Sequence, residues 1–448
     1  MAGTSGLDRI STQLCQVAEL ARRQPRIVIT TLAHHIDIEW MGEAHRRTRK
    51  DGAVGVDSVT AAAYAADLQG NLEGLLERFK AGTYFAPPVR RVHIPKGDSG
   101  QTRPIGIPTF EDKILQRAVA MVLGAVYEQD FLDCSYGFRP GRSAHQALER
   151  LWKGLMDLRG GWVIDLDLAS FFDTLDHRHL RQFLDQRVRD GVVRKAIDKW
   201  LAAGILNEGH VSRSTTGTPQ GGVISPLLAN IYLHEVLDRW FEHDVTPRMQ
   251  GAAFLVRYAD DAVLVFADRR DAERVMDVLP KRLGKYGLTL HAEKTRLVPF
   301  GRPPKRPGDR GGDGSRPGTF SFLGFTHYWG ATRKGSWMVK RKTEAGRFRR
   351  AVWAVNLWCR YNLHAGVPAH HRMLSAILRG HCAYYGIAGN SFAIGAFRQR
   401  VQRIWRYWLA RRSQKAKMTW ARFDRLLQQY PLPPARLVHS AYTTAASP

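Results

Sequence analysis

The stretch VRYADDAVLVF, residues 256–266, contains two adjacent aspartates between two apolar runs. Apolar runs on both sides of a short polar pair predict two strands joined by a tight turn. A turn can bring the carboxylates of Asp260 and Asp261 together, whereas neighbouring side chains on a straight strand point to opposite faces. Because adjacent carboxylates repel and are costly to desolvate, the pair suggests a cation site. Alone, the pattern also fits a polar hairpin tip.

A third carboxylate favours the cation site. In WVIDLDL, residues 162–168, Asp165 and Asp167 alternate with apolar residues on a predicted strand and face the same way. Carboxylates from two neighbouring strands suit Mg²⁺, which prefers oxygen ligands and often shares them with substrate phosphates. Two such ions roughly 3.5–4 Å apart can stabilise the attacking and leaving oxygens of a phosphoryl transfer. Geometry alone does not choose between Asp165 and Asp167.

The charge balance points to a polyanionic partner. Lys and Arg total 67 against 41 Asp and Glu, which gives a net charge of +26. Such a charge favours nucleic acid, with an anionic membrane as the weaker alternative. No apolar run approaches the roughly 20 residues that a membrane span needs, and no secretory signal is visible, so we expect a cytoplasmic protein. The four scattered cysteines form no CxxC pair, which argues against a zinc module or a disulfide framework.

Apolar spacing predicts helices over 68–79, 114–126 and 144–155, and a fourth that starts at Ser225-Pro226. Thr109 is the expected N-cap of the second helix, and Ser225 that of the fourth. Strand patterns occur at 89–95, at 162–168 and on both sides of Ala259-Asp260. With 448 residues and 44% hydrophobic content, the chain predicts an α+β fold of two or three subdomains, with an antiparallel sheet in roughly the first 300 residues.

The composition changes after residue 300. Residues 301–318 are Pro, Gly and charge, and predict an exposed flexible loop. After Phe320 the sequence becomes basic and aromatic, and we expect it to be helical, with Arg and Trp interleaved over 347–361 and 397–415. Its basic face either tracks a phosphate backbone or is simply solvated around a packed aromatic stripe.

Several ordered motifs identify a family resemblance. The chain resembles the group II intron-encoded reverse transcriptases, also called maturases, over most of residues 50–440. The blocks that carry the resemblance are RRVHIPKGDSGQTRPIGIPTFEDKILQRAV at 90–119, CSYGFRPGRSAHQAL at 134–148, DLDLASFFDTLDH at 165–177, GTPQGGVISPLLANIYLHEVLD at 217–238, RYADD at 257–261, GLTLHAEKTRLV at 287–298, FSFLGF at 320–325 and LRGHCAYYGIAGN at 378–390.

The resemblance implies a right-hand polymerase followed by an α-helical thumb. Its implied parts are an N-terminal extension and start of the fingers (1–88), fingers and palm with an antiparallel sheet (89–300), the flexible loop (301–318), a primer-grip hairpin (319–330), a helical thumb or maturase domain (331–410) and a basic tail (411–448). The tail is either the end of the thumb or a reduced DNA-binding region. The last 37 residues contain no Cys and only His439, so the resemblance leads us to expect no HNH endonuclease. Without one, the primer would come from another source, such as nascent strands at replication forks.

The resemblance also assigns the acidic residues. The family's first metal-binding aspartate precedes an aromatic by five positions, which selects Asp167 because of Phe172 and leaves Asp165 as a supporting or structural group. Asp260 then pairs with Asp167 as a metal ligand, and Asp261 completes the set. Two Mg²⁺ ions are the implied cofactors.

Further residues are implied to handle the nucleotide. The Leu168 carbonyl would be the remaining protein oxygen near the triphosphate metal, and Lys294 would protonate the pyrophosphate leaving group. Phe172 would lie under the sugar and disfavour a 2′-hydroxyl, with an ordinary core phenylalanine as the alternative. Lys96 and Arg103 would clamp the triphosphate from a mobile hairpin, or be solvated loop charges.

The remaining implied residues contact the base pair and the strands. Gln220 would lie beside the nascent base pair, and Gly221 would allow close backbone approach. A template-contacting segment and a primer-gripping hairpin complete the set: Tyr136, Arg139 and Arg142 for the template, with a structural role for Tyr136 as the alternative, and Phe322, Leu323, Gly324 and Phe325 for the primer.

The implied function is RNA-directed DNA synthesis in group II intron splicing and retrohoming. The implied partners are an RNA template, intron RNA, a DNA primer or target and deoxynucleoside triphosphates, with no membrane. One alternative is an RNA-binding splicing cofactor whose polymerase is secondary. Another is a domesticated relative that serves CRISPR spacer acquisition, defence or DNA repair.

Overall fold

The computed structural model describes residues 2–95, 102–207, 210–212, 221–303, 317–332, 334–412 and 418–439. The chain forms two compact units. Unit 1 comprises Met1–Ala147 and Leu166–Leu297, and unit 2 comprises Leu148–Asp165 and Val298–Pro448.

Helices occupy much of both units. The α-helices are α1 (Ala2–Arg23), α2 (Ile38–Arg47), α3 (Ala61–Ala65), α4 (Leu68–Lys80), α5 (Phe110–Tyr127), α6 (Ala144–Asp157), α7 (Phe171–Thr174), α8 (His177–Asp185), α9 (Gly191–Ala202), α10 (Ser225–Leu233), α11 (Arg269–Gly284), α12 (Ala345–Tyr361), α13 (Val367–Tyr385), α14 (Ser391–Leu409) and α15 (Trp420–Gln429). Two π-helical segments, His234–Asp238 and Trp240–Val245, extend α10.

In the residues that the structure describes, strands form three sheets. They are β1 (Val89–Pro95), β2 (Thr102–Ile107), β3 (Trp162–Leu166), β4 (Ile205–Asn207), β5 (His210–Ser212), β6 (Ala253–Tyr258), β7 (Asp261–Phe266), β8 (Arg296–Pro299), β9 (Phe320–Phe322), β10 (Phe325–Ala331) and β11 (Trp337–Thr343). The strand orders are β2-β1-β4-β5, β6-β7-β3-β8 and β11-β10-β9. β1 pairs parallel with β4, whereas the pairs β1–β2, β4–β5, β6–β7, β9–β10 and β10–β11 are antiparallel. Helices combined with mainly antiparallel sheets confirm the α+β prediction.

The four predicted helices are present as α4, α5, α6 and α10. Thr109 accepts a hydrogen bond from the Asp112 amide at 3.2 Å, as its role as N-cap of α5 requires. Ser225, in contrast, is the first residue of α10 and is not its cap. The preceding Ile224 already has helical dihedral angles, and the Gln116 side chain accepts hydrogen bonds from the Val223 and Ile224 amides at 2.8 and 3.4 Å.

The strand expected over 162–168 is shorter than predicted. β3 ends at Leu166, so Asp167 lies beyond the ladder while Asp165 lies within it. The chain leaves the sheet because Leu168 forms an isolated bridge with Leu290 and the Ala169 amide donates to the Thr289 carbonyl at 2.8 Å. Asp167 and Asp165 are therefore in different backbone environments, which strand alternation alone did not reveal.

The core of unit 1 surrounds α5. Its apolar side chains are buried along almost the whole helix, which packs against α1 and α2. None of the helices in the described part of the chain combines the length and hydropathy that crossing a bilayer requires.

Within its described residues, unit 2 contains a three-stranded sheet, helices α12 to α15 and most of α6. A helical region from residue 331 was predicted, but β11 occupies 337–343 and the helices begin at Ala345. β11 pairs with β10 and buries the alternate residues Val339, Arg341 and Thr343. Because several residues of β11 are charged, the sequence shows no apolar alternation that would predict a strand. Phe423 of α15 and Leu432 lie in the same hydrophobic core as α12 to α14, so the described part of the basic tail belongs to the helical core.

Candidate active site

Asp260 lies in the turn of a β-hairpin, as predicted, and Asp261 begins the strand that follows. β6 pairs antiparallel with β7, and the last pair of the ladder is Tyr258 with Asp261. Ala259 and Asp260 therefore form the turn, and Ala259 has φ +57°, in the left-handed region. Asp260 is half-buried, whereas Asp261 is exposed. The two carboxylates thus have unequal environments.

A buried arginine connects this turn to the rest of unit 1. Arg257 and Asp238 are both fully buried, and the Arg257 Nε and Nη2 donate to the two Asp238 carboxylate oxygens at 2.7 and 2.6 Å. Nη1 donates to Asn230 Oδ1 and to the Ala259 carbonyl, each at 3.0 Å, and Nη2 also donates to Ser135 Oγ at 2.8 Å. Burial by itself lowers the pKa of Arg257, but the Asp238 carboxylate outweighs it and raises this pKa.

The segment 134–137 packs directly on the same turn. The Arg257 amide donates to the Cys134 carbonyl at 2.8 Å, and the Tyr136 amide donates to the Arg257 carbonyl at 2.9 Å. A Cβ added to Gly137 would lie 2.3 Å from the Ala259 nitrogen, so only glycine fits here without movement. Sequence reasoning missed these supports; the available signal was an arginine inside the apolar run of β6.

Asp167 is paired with the predicted acid, Lys294. The Lys294 Nζ lies 3.3 Å from Asp167 Oδ1 and 3.4 Å from Oδ2, and the Asp167 side chain is 35% exposed. The backbone of Asp167 is held by the turn that carries this lysine. The Thr295 hydroxyl donates to the Asp167 carbonyl at 3.2 Å, and the His291 amide donates to that carbonyl at 2.9 Å. Thr295 and His291 were also missed, although both lie in the same motif as Lys294.

The oxygen donors suit a divalent metal that substrate helps to hold. Within the ranges that the structure describes, no three His, Cys, Asp or Glu side chains form a cluster that would hold a metal by itself. Mg²⁺ commonly takes one or two carboxylates and completes its shell with water and substrate phosphates. The accessible carboxylate of Asp167 and the half-buried carboxylate of Asp260 fit that mode, and the Lys294 ammonium contacts the first of them.

Only part of the predicted nucleotide site falls on described residues. Lys96 and Gln220 lie outside them, and for Arg103 only the backbone, paired with Ile94, is described. Gly221 has φ +119°, and a Cβ there would lie 2.5 Å from the Gly106 carbonyl oxygen. The close approach that this glycine allows is therefore made to the backbone of β2.

The two phenylalanines of the FF motif are not equivalent. Phe171 is only 2% exposed and is a core residue, whereas Phe172 is half-buried. Their ring centroids are 5.2 Å apart in an edge-to-face arrangement. Ser170, which precedes them, has φ +48° and turns the chain into α7. Phe172 thus keeps an accessible surface.

The predicted template residues make internal contacts. Arg139 is 8% exposed, and its Nε donates to Glu128 at 3.0 Å while its Nη1 donates to the Leu132 and Ser135 carbonyls at 2.8 and 2.9 Å. This burial corrects the expectation that its guanidinium faces a template, because protein acceptors already surround it.

Arg142 and Tyr136, near Arg139 in the sequence, also make contacts within the protein. Arg142 pairs with Asp133 at 2.5 Å and lies over the ring of Tyr136, which is 7% exposed. The structural alternative for Tyr136 is thereby favoured. Phe138 between them is 58% exposed, with φ +58° and its ring centroid 6.4 Å from that of Tyr258. It is the accessible aromatic residue of this segment.

The predicted primer hairpin is a tight turn within unit 2. Phe322 ends β9 and Phe325 begins β10, and both are buried. Leu323 and Gly324 between them have φ +49° and +77°, as a two-residue type I′ turn requires. The Tyr384 hydroxyl donates to the Leu323 carbonyl at 2.9 Å and fixes the tip of this hairpin.

Comparisons with known proteins match this chain to a polymerase family. The model of the reverse transcriptase (RNA-dependent DNA polymerase) family matches residues 94–327. Protein YkfC of Escherichia coli (strain K12) is 35% identical over 328 residues, which cover 64% of this chain and 84% of that protein.

Two relatives from introns are similar over shorter segments. The group II intron-encoded protein LtrA of Lactococcus lactis subsp. cremoris is 42% identical over 165 residues, 37% of this chain and 27% of LtrA. An uncharacterized 91 kDa protein in the cob intron of Schizosaccharomyces pombe is 37% identical over 172 residues, 38% of this chain and 21% of that protein. The matched family model and the relative covered over most of its length lead to one conclusion: the chain belongs to the reverse transcriptase (RNA-dependent DNA polymerase) family.

Proposed function

We propose that this reverse transcriptase extends a DNA primer on an RNA template by a two-metal nucleotidyl transfer centred on Asp167 and Asp260. The observation that carries the proposal is the arrangement of Asp167 and Lys294, with the ammonium 3.3 Å from the carboxylate. A carboxylate and a cation at this distance provide a metal ligand beside a proton donor, as nucleotidyl transfer requires.

The acidic residues would have unequal roles. Asp167 and Asp260, with the Leu168 carbonyl, would hold two Mg²⁺ ions, and these ions would lower the barrier by stabilising the entering and leaving oxygens. Asp261 would complete the acidic set. Its exposed position supports a weaker requirement than that of half-buried Asp260.

Lys294 would act on the leaving group. When a triphosphate occupies the site, its negative oxygens compete with Asp167 for the ammonium, so Lys294 can turn from the carboxylate to the substrate. There it would donate a proton to the departing pyrophosphate. The hydrogen bonds of Thr295 and His291 to the Asp167 carbonyl keep the lysine-bearing turn beside this aspartate.

The remaining contacts follow the family resemblance. Phe172 would exclude a 2′-hydroxyl with its accessible ring, Lys96 and Arg103 would bind the triphosphate, and Gln220 would contact the nascent base pair. Unit 1 would correspond to fingers and palm. In unit 2, the hairpin at 322–325 would grip the primer and the helical core would be the thumb.

We further propose that the RNA partner is a group II intron. Two relatives support this by their names, one as a group II intron-encoded protein and one as a protein in an intron. The net charge of +26 supports RNA binding over a large surface. A gel-shift comparison with competitor RNA tests the partner: a group II intron RNA should compete at concentrations at least tenfold below an unstructured RNA of equal length. Equal competition would contradict the intron assignment and leave the polymerase untouched.

Primer extension tests the chemistry. A DNA primer annealed to an RNA template should be extended with Mg²⁺ and deoxynucleotides, and Asp260→Ala should lower kcat by at least about 10³-fold. Asp244→Ala is the matched control because it removes an exposed carboxylate of the same unit. Equal activity of wild type and Asp260→Ala would refute the site.

A further inference from the structure

The left-handed turn that carries Asp260 needs an explanation. Alanine at φ +57° is strained by its Cβ, and such residues persist where the surrounding structure holds them. Two contacts meet this turn from inside unit 1: the Arg257 Nη1 donates to the Ala259 carbonyl at 3.0 Å, and Gly137 lies against the Ala259 nitrogen. The turn is therefore held by the protein and is not a free hairpin tip.

We propose that Arg257 is a positioning residue, which acts through the Ala259 carbonyl to hold Asp260 in its metal-binding orientation. The proposal depends on the proposed role of Asp260. Arg257 touches neither substrate nor reacting atoms, because its guanidinium is fully buried beneath the turn.

The guanidinium is fixed from several directions. An arginine has five N–H donors, and all five of Arg257 find acceptors: two on Asp238, one on Asn230, one on Ala259 and one on Ser135. The bidentate pair with Asp238 fixes both the plane and the rotation of the fork. Because the guanidinium cannot move, its hydrogen bond to the Ala259 carbonyl fixes the position of the turn.

The anchoring residues come from distant parts of the sequence. Asp238 lies in the π-helical segment after α10, Asn230 lies on α10 itself, and Ser135 lies in the segment that also supplies Gly137. The Asn230 Nδ2 donates to the Gly137 carbonyl at 2.7 Å, which links the two supports of the turn. The position of the turn that carries Asp260 is thereby fixed relative to both α10 and residues 135–137.

The matched test compares two buried arginines. Arg187, also in unit 1, is 7% exposed, pairs with Asp130 at 2.7 Å and donates to the Ala21, Gln24 and Ile27 carbonyls. Lysine keeps the charge and loses the fork geometry in both cases. Arg187→Lys and Arg257→Lys should therefore both reduce stability, and only the change near the turn should alter catalysis.

The kinetic readouts separate positioning from folding. With rates normalised to the active folded fraction, Arg257→Lys should lower kcat by about 10²-fold and raise the half-saturating Mg²⁺ concentration. The Kd for the annealed template–primer should stay within twofold of wild type. Arg187→Lys should keep the wild-type kcat and Mg²⁺ dependence. Equal kcat and Mg²⁺ dependence in the two variants would overturn the proposal.

A second substitution tests the left-handed turn itself. Glycine adopts positive φ without strain, so Ala259→Gly should recover about tenfold in kcat when combined with Arg257→Lys. Failure to recover would contradict a role through this turn. If Arg257→Lys does not fold, Ser135→Ala provides the test, because it removes only one of the five hydrogen bonds of Arg257. It should lower kcat by less than Arg257→Lys and raise the half-saturating Mg²⁺ concentration. An unchanged half-saturating Mg²⁺ concentration would overturn the proposal.

The proposed function fails by a different result. If Asp260→Ala extends primers as well as wild type, the site assignment is wrong. If Asp260→Ala is inactive and Arg257→Lys is fully active, the site stands and the positioning role alone is refuted.

Discussion

Gly137 is not one of the proposed catalytic residues, but replacing it by alanine would displace the turn that carries Asp260. An alanine Cβ at this position would lie 2.3 Å from the Ala259 nitrogen and 3.0 Å from the Tyr258 carbonyl carbon. Ordinary contact begins near 3.4 Å, so the turn and the segment that carries Gly137 must separate by about 1 Å. The atoms in the way are backbone, so rotation of a side chain cannot relieve the clash.

A displacement of this size has a calculable effect on rate. Misplacing a reacting group by about 1 Å can cost about 10²-fold, which corresponds to roughly 2.7 kcal/mol of transition-state stabilisation. We therefore expect Gly137→Ala to lower the kcat of primer extension by about that factor. The Kd for template–primer should change little, since the new methyl group faces the interior of unit 1.

The control is a glycine with free space around it. A Cβ on Gly74 of α4 would meet nothing within 4 Å, so Gly74→Ala should leave kcat unchanged and stabilise the helix by about 0.5–1 kcal/mol. Single-turnover extension at saturating nucleotide, with the folded fraction measured by circular dichroism, gives the comparison. If Gly137→Ala keeps the wild-type single-turnover rate, the turn does not depend on this packing and the argument fails.

Three further predictions concern the same unit. Lys294→Gln should lower kcat by roughly 10²-fold and lower the half-saturating Mg²⁺ concentration, because a general acid is lost and no ammonium competes at Asp167; an unchanged kcat in a pH–rate series would contradict the acid role. Arg139→Ala should cost about 3 kcal/mol in urea unfolding, because Glu128 loses its buried partner, yet leave the template Kd of the folded protein within twofold; a selective loss of template affinity would restore the original assignment. Burial raises the pKa of Asp112 from 3.8 to about 6, so the stability that its protonated form contributes, about 3 kcal/mol, is present below pH 4 and is lost as the pH rises through 6. Asp112→Asn should remove this dependence, and parallel stability curves for the two proteins between pH 4 and 7 would refute it.

Local patterns predicted much of the fold. The apolar periodicity of α4, α5 and α6 and the cap at Thr109 depend on residues a few positions apart, so the sequence contains the whole signal. β11 and the end of β3 were missed because a strand's limits are set by its neighbours in the sheet. Pairing with β10 makes a strand of 337–343 in spite of its charges, and contacts with residues 289–295 end β3 before Asp167.

The roles of the arginines also depend on contacts that the fold creates between residues far apart in sequence. Arg139 and Arg257 are both basic residues in motifs of a highly basic chain. The apolar run around Arg257 indicates burial, but nothing local identifies the groups that pair with either guanidinium. Burial depends on which carboxylates and carbonyls the fold brings near, and those of Arg257 come from α10, the following π-helical segment and residue 135. Such partners lie too far away in sequence for spacing to reveal them.

The sequence by itself determined the chemistry of this protein: the oxygen-rich carboxylates of Asp167, Asp260 and Asp261, the cation Lys294 and the charge that suits a nucleic acid. Residue type and order establish these because they are covalent properties. Only the tertiary structure decided which groups meet, since contacts across long separations depend on packing. It set Lys294 against Asp167, buried Arg139, and supported the Asp260 turn from below with Arg257 and Gly137.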